Sequence, residues 1–87
     1  MDIIAGEMSE RTVKESELAV LAKKFRTAAG KTRSEAAREL RISQPCVFNA
    51  EEKPARSLHK VRIRMIERYS NLRVEGPEYR LIEKSGS

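Results

Sequence analysis

Hydrophobic positions fall into four stretches of helical period, followed by a tail that changes period. Leu18, Leu21, Ala22, Phe25 and Ala29 recur at i, i+3, i+4, i+7 and i+11, the apolar stripe of one helix. Thr12 stands three residues before Glu15, the spacing of a capping box. Gly30 suits the left-handed residue just past a helix end. The first helix is therefore expected over residues 13–29. Thr32 and Glu35 repeat the box before Ala36, Ala37 and Leu40, which predicts a second, short helix over residues 33–41. Ser43 caps a third, Gln44–Glu52, with Pro45 in the first turn where a missing N–H is harmless. Val47 and Ala50 face inward, and Lys53-Pro54 closes it off. Ser57 opens a fourth over residues 58–69, with Leu58, Val61, Met65, Ile66 and Tyr69 on one side. Val61, Ile63 and Met65 also alternate with Lys60, Arg62 and Arg64 in a strand-like way. Length and the Met-Ile-Glu-Arg content favour helix.

Beyond Asn71 the period becomes two. Leu72-Arg73-Val74 and Tyr79-Arg80-Leu81-Ile82 bracket Glu75-Gly76-Pro77-Glu78, which reads as a β-hairpin. A lone hairpin leaves two unpaired edges, so it needs a partner. One candidate is Ile3-Ile4-Ala5. The other is the tail of a second subunit, with Tyr79, Leu81 and Ile82 at a two-fold contact; the dimer is the reading favoured here. The organisation expected is an N-terminal arm (1–11), a helical domain (12–70) and a strand or hairpin tail (71–87).

Composition narrows the function. Eighty-seven residues hold one domain, with no Trp and four other aromatic rings. Such a chain buries only about 60–65% of its unfolded surface, too little for the walls of a deep catalytic cleft. A single Cys46 and a single His59 give no internal disulfide, no zinc site and no catalytic triad. No metal or other cofactor and no enzymatic activity are expected. No apolar run approaches the ~18 residues of a membrane span. Residues 1–8 carry an acid where a signal peptide carries a base, so a cytoplasmic location is expected.

Charge is unevenly spread. Residues 1–22 hold two basic against five acidic residues, net −3; residues 23–73 hold fourteen against five, net +9; residues 74–87 are net −1. The basic middle would attract a polyanion, most simply nucleic acid.

That middle contains T32-R-S-E-A-A-R-E-L-R-I-S-Q-P-C-V-F-N-A-E-E52. Two short helices joined by so brief a connection must cross closely, and Ala37 supplies the small residue this requires. This is helix-turn-helix grammar. It resembles the Cro and phage-repressor (XRE-like) type of DNA-binding regulator. Gly30, Thr32, Glu35, Ala37, Leu40, Ile42, Ser43, Val47 and Glu51 stand at that family's usual places. The likeness spans roughly residues 17–69 and excludes both ends. Two departures stand out. Arg41 occupies the turn where the family usually has Gly, at about 1 kcal/mol for a positive φ, and Gly is also missing after the third helix.

The resemblance implies a mainly α, four-helix repressor-like domain that binds double-stranded DNA as a homodimer on a palindromic operator. It places base-reading groups at Gln44, Pro45 and Asn49. Gln and Asn pair bidentately with adenine, whereas Pro45 offers only contact with a thymine methyl. Phosphate contacts fall to Thr32 and Arg33 at the start of the second helix, then to Lys53, Arg56, His59 and Lys60. The resemblance also pairs Arg26 with Glu51 as a structural tie. Phe48 is read first as covering the core edge, with packing on a thymine or a place at a partner interface as the alternatives. Cys46 reads as a small residue near the backbone rather than a redox sensor. The same likeness admits an antitoxin that binds its own operator and a toxin protein, and a related domain that has become a protein-interaction module.

Overall fold

The computed structural model describes residues 10–76 and 78–84. Strand β1 (Glu10–Thr12) leads into four helices, α1 (Glu15–Ala28), α2 (Arg33–Leu40), α3 (Gln44–Glu52) and α4 (His59–Tyr69). Strands β2 (Leu72–Glu75) and β3 (Arg80–Glu83) follow. The mainly helical class and the C-terminal hairpin match expectation. The third strand does not.

Three helix ends explain most of the chain path. Past α1, Gly30 takes φ 76; its N–H donates to Thr27 O and that of Lys31 to Arg26 O. This is a Schellman motif. Past α2 the same motif is built without glycine. Arg41 sits at φ 61, ψ 46, with Arg41 N–H on Arg38 O and Ile42 N–H on Ala37 O at 3.0 Å. Ile42 is thereby turned toward the core. A further donor, Arg64 Nη2, meets Leu40 O at 2.6 Å. α3 ends differently. Its cap, Lys53, is not left-handed (φ −122), and its terminal carbonyls are met by a side chain from α4.

That side chain is Arg62, completely buried. Nε donates to Ala50 O at 2.8 Å, Nη2 to Lys53 O at 2.7 Å and Nη1 to Arg56 O at 2.9 Å. The α3 C-terminus has no basic residue in its own last turn. The guanidinium therefore supplies both the donors and the positive charge that a helix C-terminus favours. Around it lies the core: Leu18, Leu21 and Ala22 of α1, Ala36, Ala37 and Leu40 of α2, Val47 and Ala50 of α3, and Met65 and Ile66 of α4, with Val13 and Leu81.

The sheet order is β1-β3-β2, antiparallel throughout. Leu81 of β3 pairs with Arg11 on one side and Val74 on the other. Thr12 is thus a strand residue opposite Arg80 and does not cap α1. The ladder continues through Val13 N–H to Tyr79 O, and α1 starts two residues later than expected, with Lys14 N–H on Glu17 Oε1 at 2.8 Å. Ser57 likewise gives way to Leu58 as the residue before α4. Ile3-Ile4-Ala5 lies outside the described residues. The edge of β2 is closed by its own chain, since Leu72 N–H donates to Ser70 Oγ and Val74 N–H to Glu67 Oε2 at 3.0 Å.

A second polar tie joins α2 to α4. Tyr69 Oη donates to Glu39 Oε1 at 2.6 Å and Lys31 Nζ to Glu39 Oε2 at 2.9 Å. These bonds, the phenol's first, bring the Glu39 carboxyl from 4.5 down to about 2. Burial, then the Glu39 bond, pushes the Tyr69 phenol from 10.0 up to about 12.

Two outcomes follow. Arg62→Met leaves three inward carbonyls without donors and should lower the unfolding free energy in urea by about 3–5 kcal/mol. Arg62→Lys, lacking the planar fork, should recover only part of it. Equal midpoints for parent and Arg62→Met would show that water serves those carbonyls as well. For the Tyr69–Glu39 pair, a depressed carboxyl loses its contribution as pH falls from 4.5 toward 2. A raised phenol loses its contribution as pH climbs from 10.0 toward 12. A series of Tm values against pH should therefore decline at both ends, and Tyr69→Phe should flatten the alkaline decline.

Candidate nucleic-acid interface

α3 is fixed by its N-terminal cap and its buried face. Ser43 Oγ accepts the N–H of Cys46 at 3.2 Å, and Pro45 occupies the first turn. Val47 and Ala50 are fully buried, with Ala36 and Ala37 of α2 also in the core. Several other positions turn outward: Gln44 and Pro45 are exposed, Asn49 and Cys46 half-buried. Phe48 is exposed at 42%. It does not cover the core edge as expected. Its ring lies under a guanidinium instead, with Arg33 Cζ 5.0 Å from the centroid.

Arg33 itself departs further from expectation. Expected at a phosphate, it instead directs two of its donors to carboxylates inside the protein. Nε binds Glu51 Oε1 at 3.0 Å and Nη2 binds Glu52 Oε2 at 2.7 Å. The Glu51 carboxylate is fully buried and must be neutralised where it stands. Arg26 does most of this, with Nε at 2.5 Å from Oε2 and Nη2 at 2.9 Å from Oε1. The Arg26–Glu51 tie is thus present, and Arg33 extends it. Lys23 Nζ completes the cluster on Glu52 Oε2 at 2.8 Å, and this bond leads in holding the Glu52 carboxyl below its ordinary range. Both acids of α3 are consequently bonded to cations of α1 and α2.

The segment after α3 is shaped by Arg62. With the carbonyls of Lys53 and Arg56 turned inward to it, their side chains stand exposed. His59 is half-buried and Lys60 exposed in the first turn of α4. Among the described residues, Lys53, Arg56, His59 and Lys60 make no ion pair. Thr32 is exposed at the start of α2, where its hydroxyl accepts Glu35 N–H at 3.0 Å and its own N–H donates to Glu35 Oε1 at 2.9 Å. That backbone bond, more than any other influence, lowers the Glu35 carboxyl. Any anion at this helix start therefore meets a carboxylate already in place.

The residues assigned to a subunit contact are used within the chain. Leu81 is a core residue, and β3 is hydrogen-bonded on both sides, so it has no free edge for a second copy. Tyr79 precedes the strand at φ 52, with its N–H on Gly76 O. Ile82 pairs with Glu10 and Arg73. Elsewhere, a shallow hollow is lined by Lys31, Glu39, Tyr69, Ser70 and Lys84, whose polar groups bond to one another or to α4 carbonyls.

Sequence reasoning missed Arg62 and the Arg33–Phe48 contact. A signal existed for the first: position 62 lies four residues after Leu58, three before Met65 and four before Ile66, inside the inward stripe. No helix among the described residues is long and apolar enough to cross a membrane. Comparison with protein families, with curated proteins and with solved structures finds no match to this chain.

Proposed function

We propose that this protein is a sequence-specific DNA-binding regulator of the Cro and phage-repressor kind, with α2 and α3 as its helix-turn-helix and α3 as the helix that enters the major groove. One observation carries the reading. The outer face of α3 presents two amides, Gln44 and Asn49, with no uncommitted carboxylate, because Glu51 and Glu52 are both bonded to cations. Immediately beyond it, exposed Lys53, Arg56 and Lys60 stand unpaired by any acid among the described residues. Amides on a helix surface suit base edges, and cations beside it suit the phosphates that fix register.

Binding as a two-fold dimer to paired half-sites belongs to this proposal. With β3 paired on both sides, this dimer does not form by strand addition at β3.

A footprint of the purified protein on the DNA flanking its own coding region tests the reading. Protection of an inverted repeat is expected, and uniform binding without a protected site would overturn it. Affinity should fall steeply with salt, and Lys53→Ala, Arg56→Ala and Lys60→Ala should each reduce the slope by about one unit. Arg33→Ala should leave the slope unchanged while lowering stability in urea by about 1 kcal/mol. A lower slope for Arg33→Ala would return that side chain to the phosphate set. Gln44→Ala and Asn49→Ala should each lose about 1–3 kcal/mol of discrimination at particular base pairs while nonspecific affinity survives. The check is competition among single-base variants of the protected sequence.

A further inference from the structure

Resting on the DNA-binding reading, the chemistry of α3 narrows what sequence it reads. We propose that its half-site is dominated by A·T pairs, with Gln44 and Asn49 on adenine and the Phe48 ring and Pro45 on thymine methyl groups.

The inference starts from what α3 lacks. Guanine presents two acceptors, N7 and O6, in the major groove, and the side chains that pair with both are Arg and Lys. None of the nine residues of α3 is either. Arg33, the cation stacked on Phe48 of this face, is held by Glu51 and Glu52. Turning it toward a base would leave the buried Glu51 with Arg26 alone. Cytosine offers a donor to a carboxylate, and both carboxylates of α3 are already bonded. The face is thus poor in groups for G·C pairs.

What it does carry fits A·T pairs. The amides of Gln44 and Asn49 offer one donor and one acceptor each, the pattern adenine N7 and N6 require. Pro45 has no side-chain donor and is exposed beside Gln44. Phe48 follows Gln44 by one helical turn and is one of two large apolar side chains left exposed among the described residues. An exposed ring needs a reason only when something holds it out. Here the Arg33 guanidinium does, and the ion pairs fix the guanidinium in turn. A rigid apolar surface beside two amides suits the one apolar group in the major groove, the thymine methyl.

The test is selection of duplexes from a randomised pool by the full-length chain, followed by replacement of single thymines with deoxyuridine, which removes only the methyl group. A·T-rich half-sites are expected. Deoxyuridine at one or two positions should weaken binding about fourfold for each methyl, and Phe48→Ala should bind weakly while becoming indifferent to one of these replacements. Arg41→Ala, which alters the exposed cation just before α3, should leave the selected sequence unchanged. Selected half-sites centred on G·C pairs, or indifference of the parent protein to every deoxyuridine, would overturn the inference and leave the DNA-binding reading standing. A pool from which no sequence is enriched would overturn both.

Discussion

A buried guanidinium hydrogen-bonded to carbonyls rather than to a carboxylate sets the geometry on which the proposed interface depends. Arg62 is neutralised by dipoles: three carbonyls from the end of α3 and the segment after it converge on one planar fork. Burial lowers its pKa, since removing a charge from water is unfavourable unless every donor finds an acceptor. The return is positional. Ala50, Lys53 and Arg56 are fixed relative to α4 by the same group, so the direction in which α3 leaves the core and the direction in which the following segment turns are decided together. A glycine cap would end α3 equally well but would not tie it to α4. This accounts for the missing glycine at Lys53-Pro54.

A second charge works the opposite way. Glu51, buried at the other side of α3, draws in Arg26 from α1 and Arg33 from α2. Three helices then share one carboxylate. Removing Arg33 would still leave Glu51 the two bonds of Arg26, whereas removing Arg62 would leave nothing in its place. The two ties differ in redundancy, and so in how much of the structure each controls.

The helices and the hairpin were legible in the sequence because each rests on local periodicity or on turn and cap residues at fixed spacing, whereas the Arg26–Glu51 tie was implied by the resemblance alone. Val47, Ala50 and Leu40 occupy the core by that periodicity, and Arg41 takes the left-handed turn that closes α2 with two backbone bonds. What was not legible depends on contacts distant along the chain. Thr12 and Glu15 have the spacing of a cap, yet β3, some seventy residues away, recruits Thr12 as a strand. Local preference for a cap contributes about 1 kcal/mol, less than a ladder that also buries Val13 and Leu81. Arg33 looks like a phosphate ligand by position, since nothing local reveals that Glu51 and Glu52 lie within reach. Phe48 was misplaced for the same reason.

The net charge of the middle segment overstates what is offered to a polyanion. Of the fourteen basic residues between positions 23 and 73, Lys23, Arg26, Lys31, Arg33, Arg68 and Arg73 are bonded to carboxylates, and Arg62 and Arg64 to carbonyls. Among the described residues, six remain without such a bond: Lys24, Arg38, Arg41, Lys53, Arg56 and Lys60. Only Lys24 lies on α1; the other five follow the second half of α2, its turn, the segment after α3 and the start of α4. Cations committed to folding are largely unavailable for counterion release without breaking a native bond. The charge that attracts DNA in this reading is therefore smaller than the sequence total, and it is placed on both flanks of the helix that lacks any cation of its own. On the proposed reading, this separation leaves α3 to discriminate by amide and ring while its neighbours supply the attraction.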